Sequence, residues 1–157
     1  MPVGIYKRTA RDVMTKDLVT VRCDEHVHDA LQLMADNHVS TLPVVDGTGK
    51  CLGIVSQSDI IDLTRDADAA DENQGESNPL SLLFRGVQLD EITNERISDV
   101  MSESIVSAQP TDLITAVADK MIAERIHHIP VCNPDGTLIG LVSSMDILAA
   151  LREPVVV

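Results

Sequence analysis

A chain of 157 residues has room for one compact domain or two small packed halves, and none for a separate catalytic domain beside them. Its 12 Lys and Arg against 25 Asp and Glu give a formal charge of −13, a field that repels a phosphate backbone and argues against nucleic acid as a direct partner. With 44% hydrophobic residues but no Trp, one Tyr and one Phe, the core must be aliphatic, and aromatic stacking is a poor way to hold a ligand.

The N-terminal stretch MPVGIYKRTARDVM lacks the apolar segment of a signal peptide, and no run approaches the roughly 18 apolar residues of a membrane span, so no membrane association is expected. Leu18–Val21 reads as a short leading strand. Val27, Ala30, Leu31 and Met34 then fall at i, i+3, i+4 and i+7, one face of a helix, with Asp24 three residues ahead as its N-cap. Leu42-Pro43-Val44-Val45 and Cys51-Leu52-Gly53-Ile54-Val55, separated by Asp46-Gly47-Thr48-Gly49-Lys50, predict a β-hairpin, and 58–65 a second helix. Residues 66–76 hold five acidic and no basic residues and read as a solvated linker, after which Asn78-Pro79 opens a short helix through Leu80, Leu83 and Val87. The order then starts again: a strand at Ile105–Ala108, Thr111 as N-cap, and a helical stripe of Ile114, Val117, Ala118 and Met121. A hairpin of Ile129–Cys132 and Leu138–Val142 turns at Asn133-Pro134-Asp135-Gly136, and a last helix spans 144–151. Cys23, Cys51 and Cys132 are odd in number and widely spaced, as expected for a reducing cytoplasm.

Residues 12–61 align with 99–148 without a gap, at a displacement of 87 residues. Asp12-Val13-Met14 returns as Asp99-Val100-Met101, Pro43-Val44 as Pro130-Val131, and Gly53, Val55, Ser56, Asp59 and Ile60 as Gly140, Val142, Ser143, Asp146 and Ile147. The 13 identities in 50 positions exceed the roughly one in fifteen expected of unrelated sequences, so the chain is an internal duplication. The expected fold class is α/β (α+β): two β-α-β-β-α repeats, each too small to bury both faces of its sheet, packed sheet to sheet with pseudo-twofold symmetry. The expected organisation is an N-terminal strap and first repeat at 1–65, an acidic linker with a short helix at 66–96, a second repeat at 97–153 and a tail at 154–157.

The succession of D-V-M-[TS], an amphipathic helix, L-P-V-V or I-P-V-C, and G-[IL]-V-S-x-x-D, occurring twice, closely resembles a tandem pair of CBS (cystathionine beta-synthase) domains. The resemblance covers about 140 residues. It implies clefts between the repeats that receive AMP, ADP, ATP or S-adenosylmethionine as a regulatory ligand, with no covalent cofactor. It also implies a homodimer formed through the helices and an effector protein that detects the ligand. In similar proteins the Asp of G-x-V-S-x-x-D holds ribose hydroxyls and the Ser helps hold ribose or phosphate, which points here to Ser56, Asp59, Ser143 and Asp146. Physically, a Ser that ends a strand and an Asp that opens a helix bring hydroxyl, carboxylate and backbone N–H groups to one edge; the same residue types also serve simply as helix caps. By the same resemblance His127 and His128 face ligand phosphates, where the first copy has Ser40 and Thr41. As neighbours on a strand, the two imidazoles should point to opposite faces. Thr20 and Ser107, ending the leading strands, lie near backbone groups that grip adenine in similar proteins.

Other signals are weaker. Gly47-Thr48-Gly49-Lys50 is followed by Cys51 where a phosphate loop needs Ser or Thr, so the hairpin reading stands. His26 and His28 diverge on a helix and no zinc spacing is present, so no metal is expected. Neither a nucleophile motif nor an orienting partner supports Asp146 or His128 as a catalytic base. The competing function is a protein-interaction or dimerisation scaffold whose clefts are closed by side chains.

Overall fold

A computed structural model describes residues 4–69, 93–103 and 105–152. The expected helix at Leu80, Leu83 and Val87 and most of the acidic linker lie outside these residues, as does the tail at 154–157. The chain is α+β: α1 (Ala10–Val13), β1 (Val21–Arg22), α2 (Val27–Asn37), β2 (Thr41–Val45), β3 (Cys51–Ser56), α3 (Gln57–Ala69), α4 (Ile97–Val100), α5 (Ile114–Glu124), β4 (His128–Cys132), β5 (Leu138–Ser143) and α6 (Ser144–Arg152).

The helical stripes bury as their spacing requires. Val27, Ala30 and Met34 are the buried positions of α2, and Ile114, Val117 and Met121 those of α5. Both helices stop the same way, at a left-handed residue that is not glycine: His38 at φ 53° and Arg125 at φ 54°. Beyond them the Val39 N–H donates to Met34 O and the Ile126 N–H to Met121 O, each at 3.0 Å, closing the last turn. The hairpin turns use Gly49 and Gly136, at φ 86° and 91°, where a side chain would be strained.

Two compact units result, and they do not follow the sequence repeats. One comprises Val19–Asp46 and Leu52–Ile105; the other Met1–Leu18, Gly47–Cys51 and Val106–Val157. In the first, β1 runs parallel to β2 with Val21 opposite Val44, and β3 completes a sheet of order β1-β2-β3. Its core is Val21, Val27, Ala30, Met34, Leu42, Val44, Val55, Ile60 and Ile97. In the second unit β4 and β5 are antiparallel, with His128 opposite Ser143 and Ile129 opposite Val142; its core is Ala10, Ala108, Val117, Met121, Ile129, Val131 and Val142.

Ile97 opens the second repeat but is buried with the first repeat's core, and its counterpart Ala10 opens the first repeat but is buried with the second's. The leading segments are exchanged. Ser102 makes a two-way backbone bridge to Ile54, with N–H to O distances of 2.9 and 3.3 Å, and Thr15 makes the matching bridge to Leu141 at 2.9 and 3.1 Å. The D-V-M-[TS] motif of each copy is thus the backbone partner of the other copy's G-[IL]-V.

Three sequence expectations are corrected. The leading strands are shorter: β1 begins only at Val21, and in the second copy a single parallel bridge joins Ala108 to Val131, so Leu18–Thr20 and Ile105–Ser107 are not strand. Pro110 has no N–H with which to prolong the second ladder. Asp24 and Thr111 are not N-caps, because α2 is entered from His26 and α5 from Leu113; Asp24 instead holds the Arg22 guanidinium at 3.0 and 3.2 Å. Finally, α3 continues through Ala69, four residues beyond the expected end at 65.

Candidate functional site

At the end of β3 the chain turns directly into α3, and Ser56 is the hinge. The Ser56 N–H donates to Asp59 Oδ2 at 2.8 Å, and the Asp59 N–H donates back to Ser56 Oγ at 3.2 Å. The second copy repeats this where β5 becomes α6: Ser143 N–H to Asp146 Oδ2 at 2.8 Å and Asp146 N–H to Ser143 Oγ at 3.1 Å. Each pair is a reciprocal capping box in which strand end and helix start satisfy one another. A box of this kind occurs at Thr9 and Asp12, with the Thr9 N–H 2.8 Å from Asp12 Oδ2, so the pattern alone is a helix-start device. What sets Ser56, Asp59, Ser143 and Asp146 apart is that all four are partly buried and stand at a sheet edge.

The junctions are tied to the start of the neighbouring strand. Gln57 N–H donates to Ser40 O, and Ser144 N–H to His127 O, both at 2.9 Å. Ser40 and His127 therefore meet the junction through their carbonyls, while Thr41 and His128, the first residues of β2 and β4, are the half-buried side chains beside it. The expected set of free helix N-terminal amides is correspondingly reduced: the first is taken by a carbonyl and the third by the Ser hydroxyl. Among the described residues the Ser58 and Met145 amides and one oxygen of each Asp have no partner.

In the second copy His128 lies directly across the ladder from Ser143 and feels the Asp146 carboxylate. Burial holds its imidazole below the usual histidine range, the neighbouring His127 adds to this, and Asp146 opposes both. His128 is thus a neutral hydrogen-bonding group at neutral pH. His127 does not join it: it is exposed and lines a cleft of about 480 Å³ between α5 and α6 with Met121, Ile122, Arg125, Ser144 and Leu148. β4 begins at His128, so His127 lies just outside the strand and the alternation expected of two strand neighbours does not apply to the pair. Thr20 and Ser107 each precede, rather than end, the residue that pairs with the next strand.

Lys120 carried no signal in the sequence, because it lies on the polar side of α5. Its Nζ donates to Ser107 O at 2.9 Å and sits 3.6 Å from Asp112 Oδ2, whereas the first copy has Leu33 at this position. Among the described residues no group of three or more His, Cys, Asp or Glu could hold a metal ion, and no helix is long and apolar enough to cross a membrane.

The family model described as the CBS domain matches residues 10–66 and again 97–153. The chain belongs to the CBS domain family. Its pair of CBS domains is 30% identical to the uncharacterized protein MJ1426 of Methanocaldococcus jannaschii, over 90% of this chain and 89% of that one. It is also 30% identical to the 5'-AMP-activated protein kinase subunit gamma-3 of Sus scrofa, over 96% of this chain but 27% of the subunit. Among solved structures, CBSX2 in complex with AMP superposes with a TM-score of 0.71 at 23% identity, over 92% of this chain and 96% of that one, a likeness of fold.

Proposed function

We propose that this CBS pair is a non-catalytic regulatory module that binds an adenosine-containing ligand, AMP, ADP, ATP or S-adenosylmethionine, at its two strand-to-helix junctions and relays occupancy to an effector protein. The observation that carries the proposal is the recurrence, at both junctions, of a half-buried Ser–Asp pair whose carboxylate keeps one oxygen unpartnered among the described residues. A ribose diol needs an acceptor of that kind. The names of two relatives support the class of ligand, since one is a subunit of an AMP-activated kinase and one was solved with AMP. His127, His128, Ser40, Thr41, Thr20 and Ser107 are proposed as secondary contacts, with His128 giving the second junction the better grip on a phosphate. The three cysteines, all present as thiols, accord with a cytoplasmic setting.

A homodimer is part of the proposal. Ile122, Met145, Leu148 and Leu151 of α5 and α6 are 75, 68, 52 and 60% exposed, and an apolar face of that kind favours self-association. The same face favours the scaffold reading as well, and ligand binding separates the two.

A thermal-shift screen against the four ligands tests the proposal. At 100 times its Kd a bound ligand adds about 2.7 kcal/mol of stability. A shift with at least one ligand, lost in Asp59→Ala or Asp146→Ala, is the expected result. Absence of any shift would leave the scaffold reading standing.

A further inference from the structure

Cys51 opens β3, Cys132 closes β4, and both belong to the same compact unit. The hairpin turns bring them together. Cys51 N–H donates to Gly136 O and Leu138 N–H to Gly49 O, each at 3.1 Å, bracketing an antiparallel bridge between Lys50 and Thr137. Leu138 is also the ladder partner of Cys132. Across this junction the side chain of Cys51 comes up to that of Cys132. Cys51 is half-buried and Cys132 buried, while Cys23 packs against the core of the other unit.

We propose that Cys51 and Cys132 are a reversible disulfide-forming pair, a modification site at which oxidation by a peroxide fastens the start of β3 to the end of β4. Cys51, the more accessible sulfur, reacts first. Its thiolate attacks a peroxide oxygen, an S–O bond forms as the O–O bond breaks, and the departing oxygen leaves as water after taking up a proton. The Cys132 sulfur then attacks the Cys51 sulfenic sulfur; the S–S bond forms, the S–O bond breaks, and the hydroxide released takes the Cys132 proton as a second water. Two thiols are oxidised to one disulfide and one peroxide is reduced to two waters. A thiol reductant reverses the change. Contact with Cys51 and burial both push the Cys132 thiol up, which holds it protonated and leaves the first attack to Cys51. The other end of β3 carries Ser56 and the other end of β4 carries His128, so the cross-link anchors two strands that lead to the candidate junctions.

The test uses the full chain, reduced, treated with hydrogen peroxide and then alkylated. Mass spectrometry should find one alkylated cysteine per chain, Cys23, where the reduced protein shows all three. A non-reducing digest should yield peptides joined through Cys51 and Cys132 that separate in dithiothreitol. Cys51→Ser should abolish the link and Cys23→Ser should leave it intact. Because Cys132 is buried and its replacement risks the fold, the digest of the unaltered chain decides. Three alkylated cysteines after oxidation, a link through Cys23, a link between chains, or Cys51 driven to sulfinic acid without a link would each overturn the proposal. None of these outcomes bears on nucleotide binding.

Discussion

Gly53 lies against the carbonyl oxygen of Ser102, so close that a β-carbon added there would collide with it, and Gly140 stands in the same relation to the side chain of Met14. The two glycines are equivalent in the repeat but their neighbours differ in stiffness. Gly53→Ala forces a backbone carbonyl to move, whereas Gly140→Ala asks only a flexible methionine to swing aside. Both variants should be destabilised within the 1–3 kcal/mol typical of overpacking, about 3 for Gly53→Ala and about 1 for Gly140→Ala. Urea denaturation of the two checks the order, and equal losses would mean that Met14 is as fixed as the backbone.

His38 and Arg125 end α2 and α5 in a left-handed conformation that costs a side chain roughly 1 kcal/mol. His38→Gly and Arg125→Gly should each stabilise the protein by up to about 0.5 kcal/mol, the relief slightly exceeding the added freedom of the unfolded chain. Thermal melts of the single variants check this.

Ser56→Ala and Ser143→Ala remove one half of a reciprocal cap and should each cost about 1 kcal/mol without ligand. If the hydroxyl also serves a ligand, the variant loses more stability in saturating nucleotide than without it. Melting with and without ligand gives both values.

His128 makes stability depend on pH. Its folded value lies below the ordinary 6.5, so on acidification the unfolded chain takes up a proton that the fold resists. Stability from this group is complete above about pH 6.5 and is lost as the pH falls from there toward the folded value. His128→Asn should flatten that slope in urea titrations between pH 7.5 and 5. A bound phosphate would reverse the preference, so AMP affinity should rise on acidification and that of adenosine should not.

Leu148→Lys or Ile122→Lys places a charge in the apolar face of α5 and α6. If the proposed dimer forms through this face, light scattering should report a dimer for the unaltered chain and a monomer for the variant, with the variant's melting temperature near that of the unaltered chain at low concentration.

Much of this was legible in the residues. The helical stripes, both hairpins and the Ser–Asp junctions follow from spacing and turn chemistry, because burial of one face leaves a periodic trace. Helix starts did not follow. Asp24 has the right chemistry for a cap, but the Arg22 guanidinium holds it, and Glu25 takes the Arg22 N–H at 2.7 Å, so α2 begins only where Val27 meets the core. The exchange of leading segments was equally hidden, since Ala10 and Ile97 declare themselves apolar without saying which core they enter. At the junctions residue identities were readable, but the division between His127 and His128, and the hold of Lys120 on Ser107, required the side chains to be placed.

The traded leading segments bear on how such a chain could arise. A single-copy ancestor, holding one D-V-M segment and one sheet, would have lacked the piece that closes its own core and could have obtained it only from a second molecule. Doubling the gene would then have made an obligatory partnership covalent. A fragment beginning after Leu18 should accordingly weaken the distal half of the polypeptide, where Ala10 is buried, and spare the half nearer the cut.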